Sequence, residues 1–600
     1  MLKARHVLAM AALLCAQMAA AQTAPTVSTQ QSVTVTTTVE PIPLSENDRA
    51  VTVIDTQQDA ILVNSTEDFL RTDAALDVQE RGPAGVQADL SIRGTTFEQS
   101  LVLLNGMRIN DPETGHLNLD IPEPIDAVSR LDVLHGSGST FYGSDAVGGA
   151  VNLVTLRPAM TSAAVKLGLG NYGSEEQHLR SVFAGKRWAE LFAGSRDASD
   201  GFIADRGYHA NAVSSETWAT SALGTTDVLL AMSDRPYGAN QFYGPYDSTE
   251  RTKGWFAAMQ QQLGERTAAS FGYRRHTDLF VLFAGMPSVY ENNHITDSYE
   301  GAVRRADAVG ANATVSYGLE FDGDSILSTN LGKHARNQGA GYANLSVRSV
   351  PGAPRLSFSV GGREEVLSGN GSVFSPSFAA AYAVTNALRV RGSVGHGFRQ
   401  PTYLDLYYSD PSTVGNPALK PESSWSYEGG ADWNAGRVAV SATGFRLQQN
   451  NGIDYSKYSL SAKWQANNVA SLAYSGVESS VRVRLSAAQR LEFGYTATRA
   501  GSPPAGLISE YAFNYAAQNA SAMWTGEFKQ VLARTRVGVT QRTQQTAYPV
   551  WDFSVARAAG RVRPYVRLNN LSNTGYQEIP GVVMPSRTVM GGVELFWSRK

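Results

Sequence analysis

Long stretches of this chain alternate apolar and polar side chains with a period of two. Leu356, Phe358 and Val360 alternate with Ser357, Ser359 and Gly361. Leu388, Val390, Gly392 and Val394 alternate with Arg389, Arg391 and Ser393, and Val481, Val483 and Leu485 with Arg482, Arg484 and Ser486. Successive side chains of a strand point to opposite faces, so this period predicts β-strands with two unlike faces. Arg389 and Arg391 share a face, as do Arg482 and Arg484, and such a face must look into water or a polar lumen rather than lipid. Alternation alone fits a soluble β-sandwich as well as a membrane barrel. The texture dominates from about Met160 onward. The roughly 440 residues there, at about 20 per strand with its share of turn or loop, allow about 22 strands. A barrel of that size encloses a wide lumen. It must also close, because an open edge is not tolerated in lipid.

The preceding region is patterned differently. Val51-Thr52-Val53-Ile54 reads as a strand, and Ser65 with Asp68 three residues on reads as a helix start. Asp126 to Leu134 runs from a short helix into a strand, and Gly148-Gly149 allows close backbone approach or positive φ. Residues 51–158 are therefore expected to form a small mixed α/β domain ahead of a barrel at 159–600. Residues 22–50 begin with a polar, Thr-, Gln- and Val-rich stretch without the period of a core, and are expected to be flexible. Residues 1–21 read as a secretory signal. Lys3, Arg5 and His6 form a basic start, Val7 to Ala20 is too short an apolar run to span a bilayer, and Ala19-Ala20-Ala21 supplies small residues for cleavage.

Composition narrows the class. Cys15 is the only cysteine and lies in the signal, so the mature chain has no thiol, disulfide or Cys-based metal site. That suits an oxidising compartment. The net charge is −3; without Lys3 and Arg5 there are 49 basic against 54 acidic residues, or −5. No basic field points to nucleic acid. Apart from the signal, no apolar run is long enough for a transmembrane helix. A chain with 25 Tyr, 22 Phe, 9 Trp, 56 Gly and only 18% charged residues has the profile of an outer-membrane β-barrel.

Residues Leu90 to Asn152 carry an ordered series of motifs. Leu90-Ser91-Ile92-Arg93-Gly94 is a short strand. Leu101-Val102-Leu103-Leu104-Asn105-Gly106-Met107-Arg108-Ile109-Asn110 is a strand, a turn and an exit. Phe141-Tyr142-Gly143-Ser144-Asp145-Ala146-Val147-Gly148-Gly149-Ala150-Val151-Asn152 closes the unit. In that order they resemble the plug domain of TonB-dependent outer-membrane receptors, whose pattern reads roughly as an IRG strand, an LVLxDGxRxN hairpin and a YGSxAxGGxxN segment. Several ordered motifs over about 60 residues are far more specific than one Gly pattern. Further on, Gly397 to Tyr408 and Gly415 to Glu422 are similar to the family's GFRxPxxxxLY and GNPxLKPE segments. Leu568 to Tyr576 and Met584 to Arg587 are similar to its NLxNxxY and PGR patterns, and Val593, Leu595 and Trp597 alternate as a last strand should. Three departures stand out: Asn105 where Asp is usual, His135-Gly136-Ser137 for an Arg-Gly-Pro turn, and Ser598-Arg599-Lys600 beyond the aromatic end.

The resemblance implies an all-β transmembrane barrel of about 22 antiparallel strands with a small N-terminal α/β plug domain in its lumen. It implies a monomer in the outer membrane of a Gram-negative-type bacterium, surrounded by lipid and placed there by the barrel-assembly machinery. Ser32-Val33-Thr34-Val35-Thr36 resembles a TonB box, which pairs by edge-strand addition with TonB, itself driven by ExbB-ExbD and the inner-membrane proton gradient. The implied cargo is a scarce metal-chelate nutrient: cobalamin or similar, with a ferric siderophore as the alternative. A passive porin or adhesin is a rival that would lack the plug.

Catalytic signals are absent: there is no Walker-type loop, HExxH or GxSxG, so an enzyme is not expected. Binding signals are better. Asp111, Glu113, His116 and Asn118 lie in a turn-rich stretch after a plug strand; by resemblance this is an apical loop facing outward, with His116, Asn118 and Glu113 reaching ligand or metal. Tyr243, Tyr246, Tyr290, Tyr407 and Tyr408 fall in expected long loops, where amphipathic rings suit a bulky ligand with few polar handles. Asp247, Glu250 and Asp297 are candidate calcium ligands, calcium being the one cofactor considered and none being required. Glu364-Glu365 and Glu175-Glu176 are expected to be solvated, and Arg93 to pair with wall acids and hold the plug shut.

Overall fold

The computed structural model describes residues 48–600 apart from 370, 544 and 600. The signal and the Ser32 to Thr36 segment lie outside the described residues.

The N-terminal domain contains β1 (Val51–Asp55), α1 (Thr66–Leu70), β2 (Leu76–Gly82), β3 (Gln87–Ile92), β4 (Ser100–Leu104), β5 (Met107–Arg108), β6 (Val128–His135), α2 (Ser139–Tyr142) and β7 (Gly149–Thr155). Five strands form one sheet in the order β1-β6-β7-β4-β5, and β2 and β3 form a separate hairpin. Ser65 caps α1 by accepting from the Asp68 N–H at 3.2 Å, as the Ser65/Asp68 spacing predicts. Asn105 and Gly106, with φ of 50° and 81°, join β4 to β5. Positive φ at both central residues is the requirement of a type I′ hairpin turn, which Asn meets as readily as Asp. At Gly149 (φ 151°) a Cβ would fall on the Leu134 carbonyl, so β6 and β7 can approach only because that atom is missing.

The remaining chain closes on itself. Of twenty-four strands in the ring, Thr413–Val414 and Ile508–Ser509 are two-residue pieces in loops, leaving 22 that form the wall. The last strand, Thr588–Ser598, pairs antiparallel with the first, Ser162–Gly170, with Leu595 opposite Val165. One end carries short turns, such as 222–223 and 436–437. The other carries long loops, including 400–421, 501–515 and 570–587. A closed ring removes the sandwich alternative.

The wall is inverted relative to a soluble protein. On strand Ala313–Ser328, Leu319 and Phe321 are 72% and 54% exposed, whereas Glu320 and Asp322 are buried. The same alternation leaves Phe271, Phe374, Phe378, Val477 and Phe493 on the outer surface. A ring of exposed apolar side chains is stable only in an apolar surrounding. No described helix is long and apolar enough to cross a membrane; the strands are the candidate spans.

The lumen is filled by the N-terminal domain. One apolar cluster joins Val102, Val133, Val151 and Leu153 of the plug to Leu229, Phe256 and Tyr565 of the wall. This packing corrects the expectation that Glu175-Glu176 and Glu364-Glu365 are solvated. Glu176 and Glu365 face inward and are buried, Glu365 at 2.6 Å from Arg363 and Glu176 against Arg567 and Tyr565. Alternation puts one acid of each pair on the lumen face, and the plug then excludes its water.

Candidate functional site: the plug–wall junction and the loop-end rim

Arg93 follows β3 and points at the wall. Its guanidinium stands 3.1 Å from Glu428 and 2.6 Å from Glu478, and lies 4.7 Å from the centre of the Phe445 ring. Burial works against the charge, but the two carboxylates outweigh it and hold Arg93 above its ordinary pKa. His135, at the end of β6, lies 3.0 Å from both Glu478 and Asp73. Burial lowers its pKa, yet Glu478 and Asp73 raise it further, to about 10. Two plug cations thus converge on Glu478.

A second junction forms at the loop end around Arg399, which is 1% exposed. It contacts Glu98 of the plug at 2.5 Å, Asp405 at 3.1 Å and Glu422 at 2.8 Å, while plug Gln99 donates to Glu422 at 2.7 Å. Asp405 belongs to α3 (Tyr403–Tyr407), a loop helix closed by a capping box between Thr402 and Asp405. The start of α3 sits on the plug, with Tyr403 N–H donating to the Pro112 carbonyl at 2.9 Å and Leu404 N–H to the Glu113 carbonyl at 3.0 Å. The otherwise unpaired first N–H groups of α3 therefore find their acceptors on the plug's 110–118 loop.

Above this junction the long loops build an aromatic band. Tyr243 meets Phe280 edge-on at 5.3 Å, and Phe280 meets Tyr290 at 6.2 Å. The Tyr290 and Tyr408 hydroxyls are 3.2 Å apart, and Tyr407 stacks on His334 at 3.7 Å. Tyr243 is 41% exposed, so the band offers ring surface to the loop-end solvent.

Comparison with known proteins follows this geometry. The sequence model described as TonB dependent receptor-like, beta-barrel matches residues 186–589, and that of the TonB-dependent Receptor Plug Domain matches residues 43–150. This chain belongs to the TonB-dependent receptor family. Among curated relatives, the receptor is 26% identical over 453 residues to a vitamin B12 transporter of Photobacterium profundum, covering 70% of each chain. It is 26% identical over 467 residues to the vitamin B12 transporter of Vibrio vulnificus, covering 74% of each. Among solved structures, its fold matches the siderophore receptor PirA of Pseudomonas aeruginosa with a TM-score of 0.70 at 16% identity, covering 91% of this chain and 99% of that one. It matches a ferric enterobactin receptor mutant of the same organism with a TM-score of 0.75 at 14% identity, covering 92% and 99%.

The candidate ligand residues of the receptor separate into two groups. Tyr243, Tyr290, Tyr407 and Tyr408 join the aromatic band, and Tyr246 stands exposed beside it against Phe283 at 5.5 Å. The plug residues do not offer free ligand-binding groups. Asp111 lies 2.7 Å from Arg274 and 2.9 Å from His276 of the wall. Burial raises its pKa, but Arg274 and His276 hold it below the usual carboxylate range. Asn118 accepts from the Asp111 N–H at 3.0 Å, and His116 stacks on Phe97 at 4.1 Å with Nδ1 2.7 Å from Asp89. The 110–118 loop is apical but roofed: α3 takes its carbonyls, the wall takes Asp111, and the plug itself takes His116 and Asn118. Glu113 is the exception: burial raises its pKa well above normal, and Asp111 and Glu250 add to the rise.

The candidate calcium ligands Asp247, Glu250 and Asp297 do not form one site. Glu250 is buried on the lumen face and accepts from the Tyr243 hydroxyl at 2.9 Å. Asp297 sits on the outer face of its strand, held by Arg275 at 2.7 Å, and Asp247 is exposed in a loop. The period of two places Glu250 and Asp297 on opposite sides of the wall. Sequence reasoning missed Phe280, Arg399 and the wall acids Glu428 and Glu478. Only Arg399 carried a signal, as the Arg of the GFRxP motif. A narrow cleft, partly open to solvent, runs between plug and wall past Arg108, Arg274 and Arg336 and the acids Glu300, Asp322 and Asp324.

Proposed function

We propose that the receptor imports a scarce metal-chelate nutrient across the outer membrane, drawing work from TonB and the ExbB-ExbD motor. The plugged, inverted barrel carries this reading: a filled lumen needs work to open, and an outer membrane has no ATP or gradient of its own. The Ser32 to Thr36 segment is the proposed TonB contact, through edge-strand addition. Arg93, bound to Glu428 and Glu478, is the proposed gate residue. Cobalamin is the first cargo, supported by the relatives named as vitamin B12 transporters. A ferric siderophore is the alternative, favoured by the aromatic band, whose rings also suit a bulky chelate with flat ring groups.

Titration of the detergent-purified receptor with cyanocobalamin, then with a ferric-siderophore panel, each with and without calcium, tests the cargo. Submicromolar cobalamin binding weakened by Tyr290→Ala and Tyr408→Ala places the cargo on the band. A siderophore response alone makes the chain an iron receptor. Uptake that persists after deletion of residues 32–36 rejects the TonB contact.

A further inference from the structure

Beside the roofed loop lies a pocket of carboxylates with too little positive charge. Glu113 comes from the plug, Asp278 from strand Thr267–Val281 and His294 from strand Glu291–Val309. They are 3%, 6% and 4% exposed. Asp278 and His294 are direct cross-strand partners on the lumen face, so their side chains project side by side. One ligand atom from each of the three lies within 4.8 Å of the others, and His294 Nδ1 is 3.6 Å from Glu113 Oε1. Glu250, also buried, packs against Asp278.

Pairing among the pocket's own groups is incomplete: Asp278 shares a hydrogen bond with Glu250, yet ligand atoms are left over. Glu113 Oε2, Asp278 Oδ1 and His294 Nδ1 are buried without a hydrogen-bond partner. Among the described residues, no arginine or lysine reaches ion-pair distance of Glu113, Asp278 or Glu250. The nearby cations are engaged elsewhere, Arg274 with Asp111 and Arg81 with Asp89. Buried acids clustered without countercharge are strongly unfavourable unless they take up protons or a cation. Main-chain bonds hold Glu113 in place from both sides: its N–H donates to Asp111 at 2.9 Å and its carbonyl accepts from Leu404 at 3.0 Å.

We propose that Glu113, Asp278 and His294 bind a divalent transition-metal ion of the zinc class, which clips the plug's apical loop to two wall strands. An imidazole nitrogen with two carboxylate oxygens suits zinc, whereas calcium takes all-oxygen shells. Tetrahedral ligands about 2 Å from zinc stand roughly 3.3 Å apart, so the three groups need to close by up to about 1.5 Å, within reach of side-chain rotation. The site is too closed for a bulky chelate, and the clip is independent of which cargo the receptor carries.

The test uses the full-length receptor in detergent, stripped with EDTA and then titrated with Zn²⁺, and with Co²⁺ for its absorption spectrum. Heat-modifiable gel mobility establishes that each variant retains its barrel. The expected result is one ion per chain, a tetrahedral Co²⁺ spectrum, and slowed deuterium exchange across 110–118 on Zn²⁺ addition. Glu113→Gln and His294→Ala should each weaken binding by more than about 100-fold, since even outer-shell changes cost 10–100-fold. Asp297→Asn, on the outer face, should leave it unchanged. Glu113→Gln replaces a buried carboxyl by a neutral group of the same shape and should not destabilise the metal-free protein. Absence of Zn²⁺ binding in the folded receptor, binding unaltered in Glu113→Gln and His294→Ala, or equal competition by Ca²⁺ would each overturn the site.

Discussion

Replacing Arg93 by alanine probes the junction that the geometry ranks strongest. The substitution removes contacts of 3.1 and 2.6 Å to Glu428 and Glu478 and a ring contact with Phe445. Both acids stay buried behind the plug. Breaking a buried pair by removing one partner costs about 3–5 kcal/mol, mostly from the charge left behind. Glu478 keeps His135 at 3.0 Å, so the lower end applies. At about 1.4 kcal/mol per decade, roughly 3 kcal/mol shifts the plug's docking equilibrium about 100-fold. The wall strands do not depend on Arg93, so the barrel should remain heat-modifiable. Deuterium exchange over residues 90–95 and 128–135 should accelerate by about two orders of magnitude where exchange proceeds through a rapid opening pre-equilibrium. Cells should become more sensitive to large antibiotics that the outer membrane excludes. The double variant Arg93→Ala, Glu428→Gln removes the stranded charge, leaves Glu478 paired with His135 and should recover part of the loss. Exchange in Arg93→Ala equal to wild type, or no recovery in the double variant, would refute the argument that uncompensated charge sets the cost.

Three further outcomes follow from the same contacts. His135 has a folded pKa of about 10, above its ordinary 6.5, so its contribution to docking is fully present below 6.5 and is lost as pH rises through about 10; plug protection, taken relative to the base-catalysed intrinsic exchange rate, should fall across that window, and His135→Gln should flatten the profile. Gly149→Ala should unseat β6 from β7, because the added Cβ meets the Leu134 carbonyl at a φ closed to alanine, and limited proteolysis should then cut the plug while the barrel survives. Arg399→Ala strands Glu98, Asp405 and Glu422 together; exchange should rise in 400–410 and 110–118 together, and a change confined to one of these segments would separate α3 from the apical loop.

Much of this molecule is legible in its residue order. The period of two predicts the strands, and the length of the alternating region predicts about 22 of them by way of the span a bilayer imposes. Ser65 with Asp68 predicts the helix cap, and Asn105-Gly106 the tight turn. These are local properties, set by backbone sterics and by hydrogen bonds a few residues apart. Partnership is not local. Arg93 is conspicuous within its motif, yet Glu478 lies 385 residues away and is one of many inward acids with no distinguishing neighbours. Glu176 and Glu365 look like surface acids in sequence and are buried, because whether a lumen face is wet depends on what fills the lumen. Asp111 looks free and is consumed, because Arg274 and His276 of the wall descend on it. Asp247, Glu250 and Asp297 look like neighbours and are divided by the wall. Sequence by itself therefore determines the elements and the class of fold, since those follow from short-range sterics and periodicity. Only the closed tertiary structure decides which charges meet, which are stranded and which face solvent, since these depend on Coulomb energies between distant residues in a space from which the plug has removed the water.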